Sequence, residues 1–222
     1  MKYYVIIVAA GSGKRMNSAT PKQFLLLDSR PVLMHTINAF YHSDVHPDIL
    51  VVLNEQYLDF WTGLCRQHNF TVPHKTIKGG TQRFDSVKNA LTEIDEGTSI
   101  IGVHDAVRPL ISNDLIKRSF KEAEKKGNAV PGIPSSNSLR QLTEDGSVAL
   151  NRSRIFEIQT PQVFESGLLK RAYNQQYSDK FTDDASVVEK IGSKINIISG
   201  EPYNIKITYP DDVKIAKLLL KP

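Results

Sequence analysis

The chain has 222 residues, a formal net charge of +4 from 28 Lys+Arg against 24 Asp+Glu, and 40% hydrophobic residues; such a chain suits one α/β domain, or a domain with an appendage. A single cysteine, Cys65, excludes a disulfide framework and a cysteine zinc site, and no stretch reaches the ~20 apolar residues of a membrane span. The longest basic candidate, KRSFKEAEKK (117–126), mixes both signs at helical spacing, which reads as a solvated helix face rather than a nucleic-acid-binding stripe.

The Lys-led apolar start is too short for a signal peptide and runs into glycines, so YYVIIVAA (3–10) reads as a fully buried first strand of a cytoplasmic protein. PVLMHTINAFYH (31–42) predicts a helix with Pro31 in its first position and Val32, Leu33, Ile37 and Phe40 on one side. DILVVLN (48–54) is a strand, EQYLDFWTGLCRQH (55–68) a helix and KTIK (75–78) a short strand. RFDSVKNALTEI (83–94) puts Phe84, Val87, Leu91 and Ile94 on one helical face; SIIGVHDA (99–106), a helix over 112–126 and a strand at NAVPGI (128–133) follow. This alternation predicts parallel strands with crossover helices, hence a doubly wound, mostly parallel α/β sheet with ligands beyond the carboxyl ends of its strands.

Residues 135–155 break the rhythm. Two short apolar-alternating runs flank TEDGS, with Asp145-Gly146 as the turn signal, and predict a β-hairpin that must pack on the body or on a second subunit. Helices near 165–177 and 183–191, strands at INIIS (195–199) and NIKIT (204–208), and a last helix from Pro210 with Asp211 and Asp212 in its first turn complete the chain. No internal repeat is evident.

Seven stretches carry chemistry. AAGSGKRM (9–16) fits neither the P-loop nor the dinucleotide fingerprint. Its glycine turn, with Arg15 behind it and Lys22 in PKQF (21–24), still suits a phosphate chain; a plain tight turn with solvated cations is the alternative. In GGTQRFDSV (79–87) the glycines can lie against a base and Ser86 can hydrogen-bond it, or the stretch is only a turn and a cap. VHDAVRP (103–109) puts Asp105 at the carboxyl end of a buried strand, a place for Mg²⁺ or for a capping carboxylate, with His104 more plausible as a packed histidine. QTPQVF (159–164) precedes TDDA (182–185), which offers a helix cap or one substrate-positioning carboxylate. Lys206 in NIKIT needs an anion, from a ligand or a buried ion pair.

In order and spacing these seven stretches resemble the sugar-alcohol-phosphate cytidylyltransferases, over essentially the whole chain, and in particular the family acting on 2-C-methyl-D-erythritol 4-phosphate. The resemblance implies a Rossmann-like nucleotidyltransferase fold, one domain over 1–222 with the 135–155 hairpin as a dimerisation arm, and a Mg²⁺-dependent transfer from CTP that releases pyrophosphate. Carried over by residue, Ala9, Ala10, Gly11, Ser12 and Gly13 would wrap the triphosphate, while Arg15, Lys22 and Lys206 would serve the transfer itself. Gly80, Thr81 and Ser86 would read cytosine, Asp105 would hold Mg²⁺, and Arg108 and Lys206 would bind the sugar phosphate. Ser138 and Arg152, on the arm, would reach that substrate in the other subunit of a homodimer. Family members often carry Asp at position 81. Where many have Asp-Thr-hydrophobic-Lys at the start of the arm, this chain has Asn137, Ser138, Leu139 and Arg140. A D-ribitol-5-phosphate cytidylyltransferase shares these motifs and stays open. A non-catalytic nucleotide-binding regulator would have little use for Arg15, Lys22, Asp105 and Lys206 together.

Overall fold

The computed structural model describes residues 1–11, 20–95 and 97–220. From the amino terminus, β1 (Lys2–Ala9) leads to a tight pair of two-residue strands, β2 (Leu26–Leu27) and β3 (Arg30–Pro31), then α1 (Val32–Tyr41), β4 (Asp48–Leu53), α2 (Leu58–Gln67) and β5 (Lys75–Lys78). There follow α3 (Arg83–Leu91), β6 (Ser99–Asp105), α4 (Asn113–Lys126) and β7 (Asn128–Pro134). The hairpin is β8 (Leu139–Thr143) and β9 (Gly146–Leu150); after it come β10 (Phe156–Ile158), β11 (Gln162–Glu165), α5 (Ser166–Tyr173), α6 (Asp184–Lys190), β12 (Ile197–Ser199) and α7 (Pro210–Leu220).

The main sheet runs β10-β7-β11-β6-β1-β4-β5, with β12 added to β7. β1 pairs in parallel with both β4 and β6, and β4 with β5, as strand-helix alternation requires. β11 lies antiparallel between β6 and β7, and β10 runs antiparallel to β7. These reversals follow the hairpin, which turns the chain back on itself instead of crossing over a helix.

β1 shows why the sheet is central. Its side chains alternate between the two faces. Val5, Ile7 and Ala9 pack with Leu33, Ile37 and Phe40 of α1, Trp61 of α2 and Leu115, Ile116 and Phe120 of α4. Tyr4 and Ile6 pack on the other face with Phe84, Val87 and Leu91 of α3, Leu169 and Tyr173 of α5 and Val187 and Val188 of α6. Each such side chain, fully buried, contributes roughly 1.5–3 kcal/mol, which makes this sheet a rigid platform for the loops at its carboxyl edge.

Three local expectations change. Pro31 is not the first helical residue; it pairs with Leu26 in the β2–β3 ladder and caps α1 in an extended conformation. The hairpin turn is Glu144-Asp145, one residue earlier than expected, and Gly146 takes the positive φ of 133°; with no Cβ, it adopts that φ without strain. NIKIT is not a strand: Asn204 and Ile207 are buried, and one backbone bond, Ile207 N to Val107 O at 2.9 Å, ties the segment to the chain leaving β6. The hairpin itself forms a separate two-stranded sheet and is mostly exposed, with Leu142 83% and Val148 48% accessible. No helix of the described residues is long and apolar enough to cross a membrane.

Candidate active site

At the carboxyl ends of β1 and β6 lies a cavity of about 520 Å³, bordered by Val8–Gly11, Lys22, Gln23, Asn54, Gly80–Arg83, Ser86, Asp105–Val107 and Lys206. Its position is the one open α/β sheets give their ligands, and its size suits a nucleotide.

One wall is the exit of β1. Ala9, Ala10 and Gly11 line it; Ser12, Gly13 and Arg15 fall outside the described residues. Lys22 lines the cavity from a short 3-10 turn (Lys22–Phe24) and donates from Nζ to Ile207 O at 2.9 Å. Phe24 anchors that turn through ring contacts with Tyr57, Phe60 and Trp61.

The second wall is the turn before α3. A Cβ on Gly80 would collide with Asp85, and one on Gly79 would come 2.7 Å from the Ala10 Cβ. Both glycines are therefore required by close approach. Ser86 Oγ donates to Gln82 O at 3.0 Å and accepts from Gly80 N at 3.1 Å, so it holds the turn in shape as well as lining the cavity. Gln82 and Asp85 close a capping box at the helix start. Thr81 is exposed at the rim.

The floor is Asp105. Its Oδ2 lies 3.0 Å from Lys206 Nζ and 3.1 Å from Arg108 Nε. Burial alone would push this carboxyl up, but the Lys206 ammonium and the Arg108 guanidinium outweigh it and hold Asp105 well below the usual carboxylate range. The carboxylate is thus ionised at any working pH. Lys206 meets the anion its sequence setting demanded. Arg108, expected on the sugar phosphate, does not line this cavity: the buried guanidinium must satisfy its own donors, and besides Asp105 it reaches Asn204 O at 2.7 Å through Nη1.

Behind the floor, Asp105 N donates to Thr160 Oγ1 at 3.0 Å, which lies 3.0 Å from His104 Nδ1; His104 Nε2 is 3.2 Å from Arg108 O. One arrangement satisfies all four groups: Thr160 gives its proton to Nδ1 and a neutral imidazole donates from Nε2. Burial lowers the His104 pKa to about 4, against the pull of Asp105. His104 is therefore a packed, satisfied histidine, as its position implied. Gln159 grips the next segment, accepting from Glu201 N and donating to Glu201 O. Asn204 donates to Thr160 O at 2.9 Å. QTPQVF so fixes the backbone that carries Lys206.

The TDDA stretch does not enter the cavity. Asp183 caps α6 in a capping box with Ser186. Asp184 is wholly buried, accepts two hydrogen bonds from Arg83 at 2.8 and 2.6 Å, and a third from Tyr173 OH at 2.6 Å. Arg83, which the sequence reading passed over, lines the cavity from α3; beside the buried carboxylate its guanidinium is held above its usual range, although burial opposes this. Gln23 was also passed over. Ser138 and Arg152 lie on the exposed arm, away from this chain's cavity, and Arg152 Nη1 donates to Ser136 O at 2.9 Å. Among the described residues, no group of three or more His, Cys, Asp or Glu could hold a metal unaided.

The family model for 2-C-methyl-D-erythritol 4-phosphate cytidylyltransferase matches residues 3–222. A protein of that description from Azobacteroides pseudotrichonymphae is 49% identical over 220 residues, covering 98% of each chain. Another from Bacteroides fragilis is 46% identical, covering 97% of this chain and 98% of its own. The crystal structure of the Francisella tularensis protein of the same description has a TM-score of 0.82 at 31% identity, covering 99% of this chain and all of that one. The cavity at the sheet's carboxyl edge and a match over nearly every residue lead to one conclusion: the chain belongs to the 2-C-methyl-D-erythritol 4-phosphate cytidylyltransferase family.

Proposed function

We propose that the protein joins CTP and 2-C-methyl-D-erythritol 4-phosphate to give 4-diphosphocytidyl-2-C-methyl-D-erythritol and pyrophosphate, the family's step in isoprenoid biosynthesis. The observation that carries the reading is the convergence of Lys22, Lys206 and Asp105 with Gly11 and the Gly80 turn on one cavity, in a chain that matches the family throughout.

A phosphate oxygen of the sugar alcohol attacks the α-phosphorus of CTP in line. A new P–O bond forms, the α–β P–O bond breaks, and pyrophosphate leaves with the electron pair. Two anions must meet, so positioning and charge neutralisation are the task, and no side-chain nucleophile is called for. Lys22 and Arg15 neutralise the five-coordinate phosphorus and the leaving group, and Lys206 steadies the incoming phosphate. Gly11, Ser12 and Gly13 wrap the triphosphate. Gly80 and Thr81 face the base with backbone groups, and Ser86, whose proton is committed to Gln82 O, can accept from the cytosine amine. Arg108 serves by holding Asp105 and the segment of Lys206 together.

Asp105 fits Mg²⁺ because it is an ionised carboxylate on the cavity wall, and Mg²⁺ needs only one or two carboxylates when phosphates and water complete its shell. When bound, the ion would neutralise triphosphate charge and polarise the α-phosphate. Ser138 and Arg152 act on the sugar phosphate of a second subunit, with the 135–155 arm crossing over in a homodimer; the exposed apolar residues of the arm, Leu142 and Val148, support that assignment. We place the enzyme in the cytoplasm, where CTP is available.

The test is product identity. Incubated with CTP, Mg²⁺ and the methylerythritol phosphate, the protein should consume both and yield a phosphorus NMR spectrum of a pyrophosphate diester plus free pyrophosphate. Unchanged substrates would overturn the reading.

A further inference from the structure

Three consecutive side chains of the 22–24 turn point three ways. Lys22 faces the cavity, and Phe24 is buried among Tyr57, Phe60 and Trp61. Gln23, between them, is 2% exposed, and its amide nitrogen donates to Ala9 O at 2.7 Å and to Gly11 O at 3.2 Å. A primary amide has two hydrogens, and both are spent on the two carbonyls that bracket Ala10. We propose that Gln23 is a positioning residue for the nucleotide's phosphates: it fixes the path by which β1 leaves the sheet and occupies two carbonyls whose dipoles would otherwise go unanswered beside the cavity.

The argument is electrostatic and geometric together. Ala9, Ala10 and Gly11 line the cavity, so the path of this backbone and the polarity of its peptide groups bear on an anionic ligand bound there. An uncovered carbonyl there repels a phosphate; one that already accepts a hydrogen bond repels it less. Among the described residues no heavy atom lies within 4 Å of where a Cβ on Gly11 would stand, so the hydrogen bond from Gln23 to its carbonyl is a contact that holds its path. A neutral amide of this reach satisfies both carbonyls without adding charge to the wall. A glutamate is the same size but offers no hydrogen when ionised, and it adds a negative charge to the wall.

The inference rests on CTP binding in this cavity, and the experiment separates the two. Wild-type protein is first titrated with CTP by calorimetry and assayed with both substrates; no binding and no turnover would sink the proposed function, and this inference with it. Q23E and the uncharged isostere Q23M are then compared with it. Loss of two hydrogen bonds predicts a KM for CTP raised about tenfold in Q23M and further in Q23E at pH 8, with the KM for the sugar phosphate within about twofold. Lowering the pH to 6 should recover part of the Q23E defect and none of Q23M's. The reason is that two carbonyl acceptors favour the protonated carboxyl, which can donate once. If Q23E does not fold, Q23M carries the test, with its melting temperature showing whether the Phe24 anchor holds. CTP affinity within twofold of wild type in Q23M, equal losses for both substrates, or a Q23E defect that ignores pH would each overturn the proposal.

Discussion

The floor of the cavity and the 135–155 arm are built on opposite terms. At the floor the polar groups answer one another, with Asn204 Oδ1 left over: Asp105 to Lys206 and Arg108, Thr160 to His104, Asn204 Nδ2 to Thr160 O and Asn204 O to Arg108. The arm answers mainly to itself. Its two strands pair with one another, and Leu142, Val148 and Leu150 stay exposed. A lone two-stranded ribbon is marginal in water, which is why we propose a partner for the arm, whereas the floor is built almost wholly from its own chain's contacts. On the proposed reading, the nucleotide half of the reaction rests on one chain's fold and the acceptor half on a dimer.

The largest expected effects break the finished half. K206A and K22A should each lower kcat/KM by about 10²–10³, since in the proposed mechanism each removes a charge that acts as the phosphorus gains its fifth ligand; steady-state rates check this, and an unchanged kcat would remove that lysine from the mechanism. D184A leaves Arg83 against an emptied buried site. It should destabilise the fold by about 3 kcal/mol, the lower end for a broken buried pair because the Arg83 side chain is 32% exposed; urea titration reads it. Acid should find His104. Its folded pKa of about 4 lies below the unfolded value near 6.5, so its neutral form stabilises the fold fully above pH 6.5. That contribution, at most about 3 kcal/mol, is lost as the pH falls towards 4. H104Q should flatten that part of the stability profile, and an unaltered profile would contradict it. On the arm the effects are smaller and more selective. R152A should raise the KM for the sugar phosphate about tenfold, the loss of one charged hydrogen bond, and leave that for CTP alone. Deleting 137–150 should leave a monomer by light scattering; a surviving dimer would show that the arm is not the joint.

How far the sequence showed this follows from where each signal resides. β1 was legible because burial on both faces writes an unbroken apolar run. Lys206 was legible as a cation in need of an anion, although its segment proved irregular: Ile205 and Ile207 mimic a strand, yet the chain is held mainly by Gln159, Thr160 and Arg108 rather than by a ladder. Arg83 was missed because its partner lies 101 residues away, and an Arg at a helix start reads as solvated. Gln23 was missed for a like reason: a neutral amide carries no charge signal, and its partners are backbone carbonyls 14 and 12 residues back. TDDA offered a cap or a positioning carboxylate. The structure makes Asp183 the cap and turns Asp184 inward to Arg83, a division that period and charge could not express.

The most direct test of the central claim is pyrophosphate release from CTP and Mg²⁺ with 2-C-methyl-D-erythritol 4-phosphate, run beside D-ribitol 5-phosphate. The account predicts turnover with the first and background with the second, despite Asn137 to Arg140 at the start of the arm. Turnover with ribitol phosphate alone would contradict it, and would move the choice of acceptor to that altered stretch.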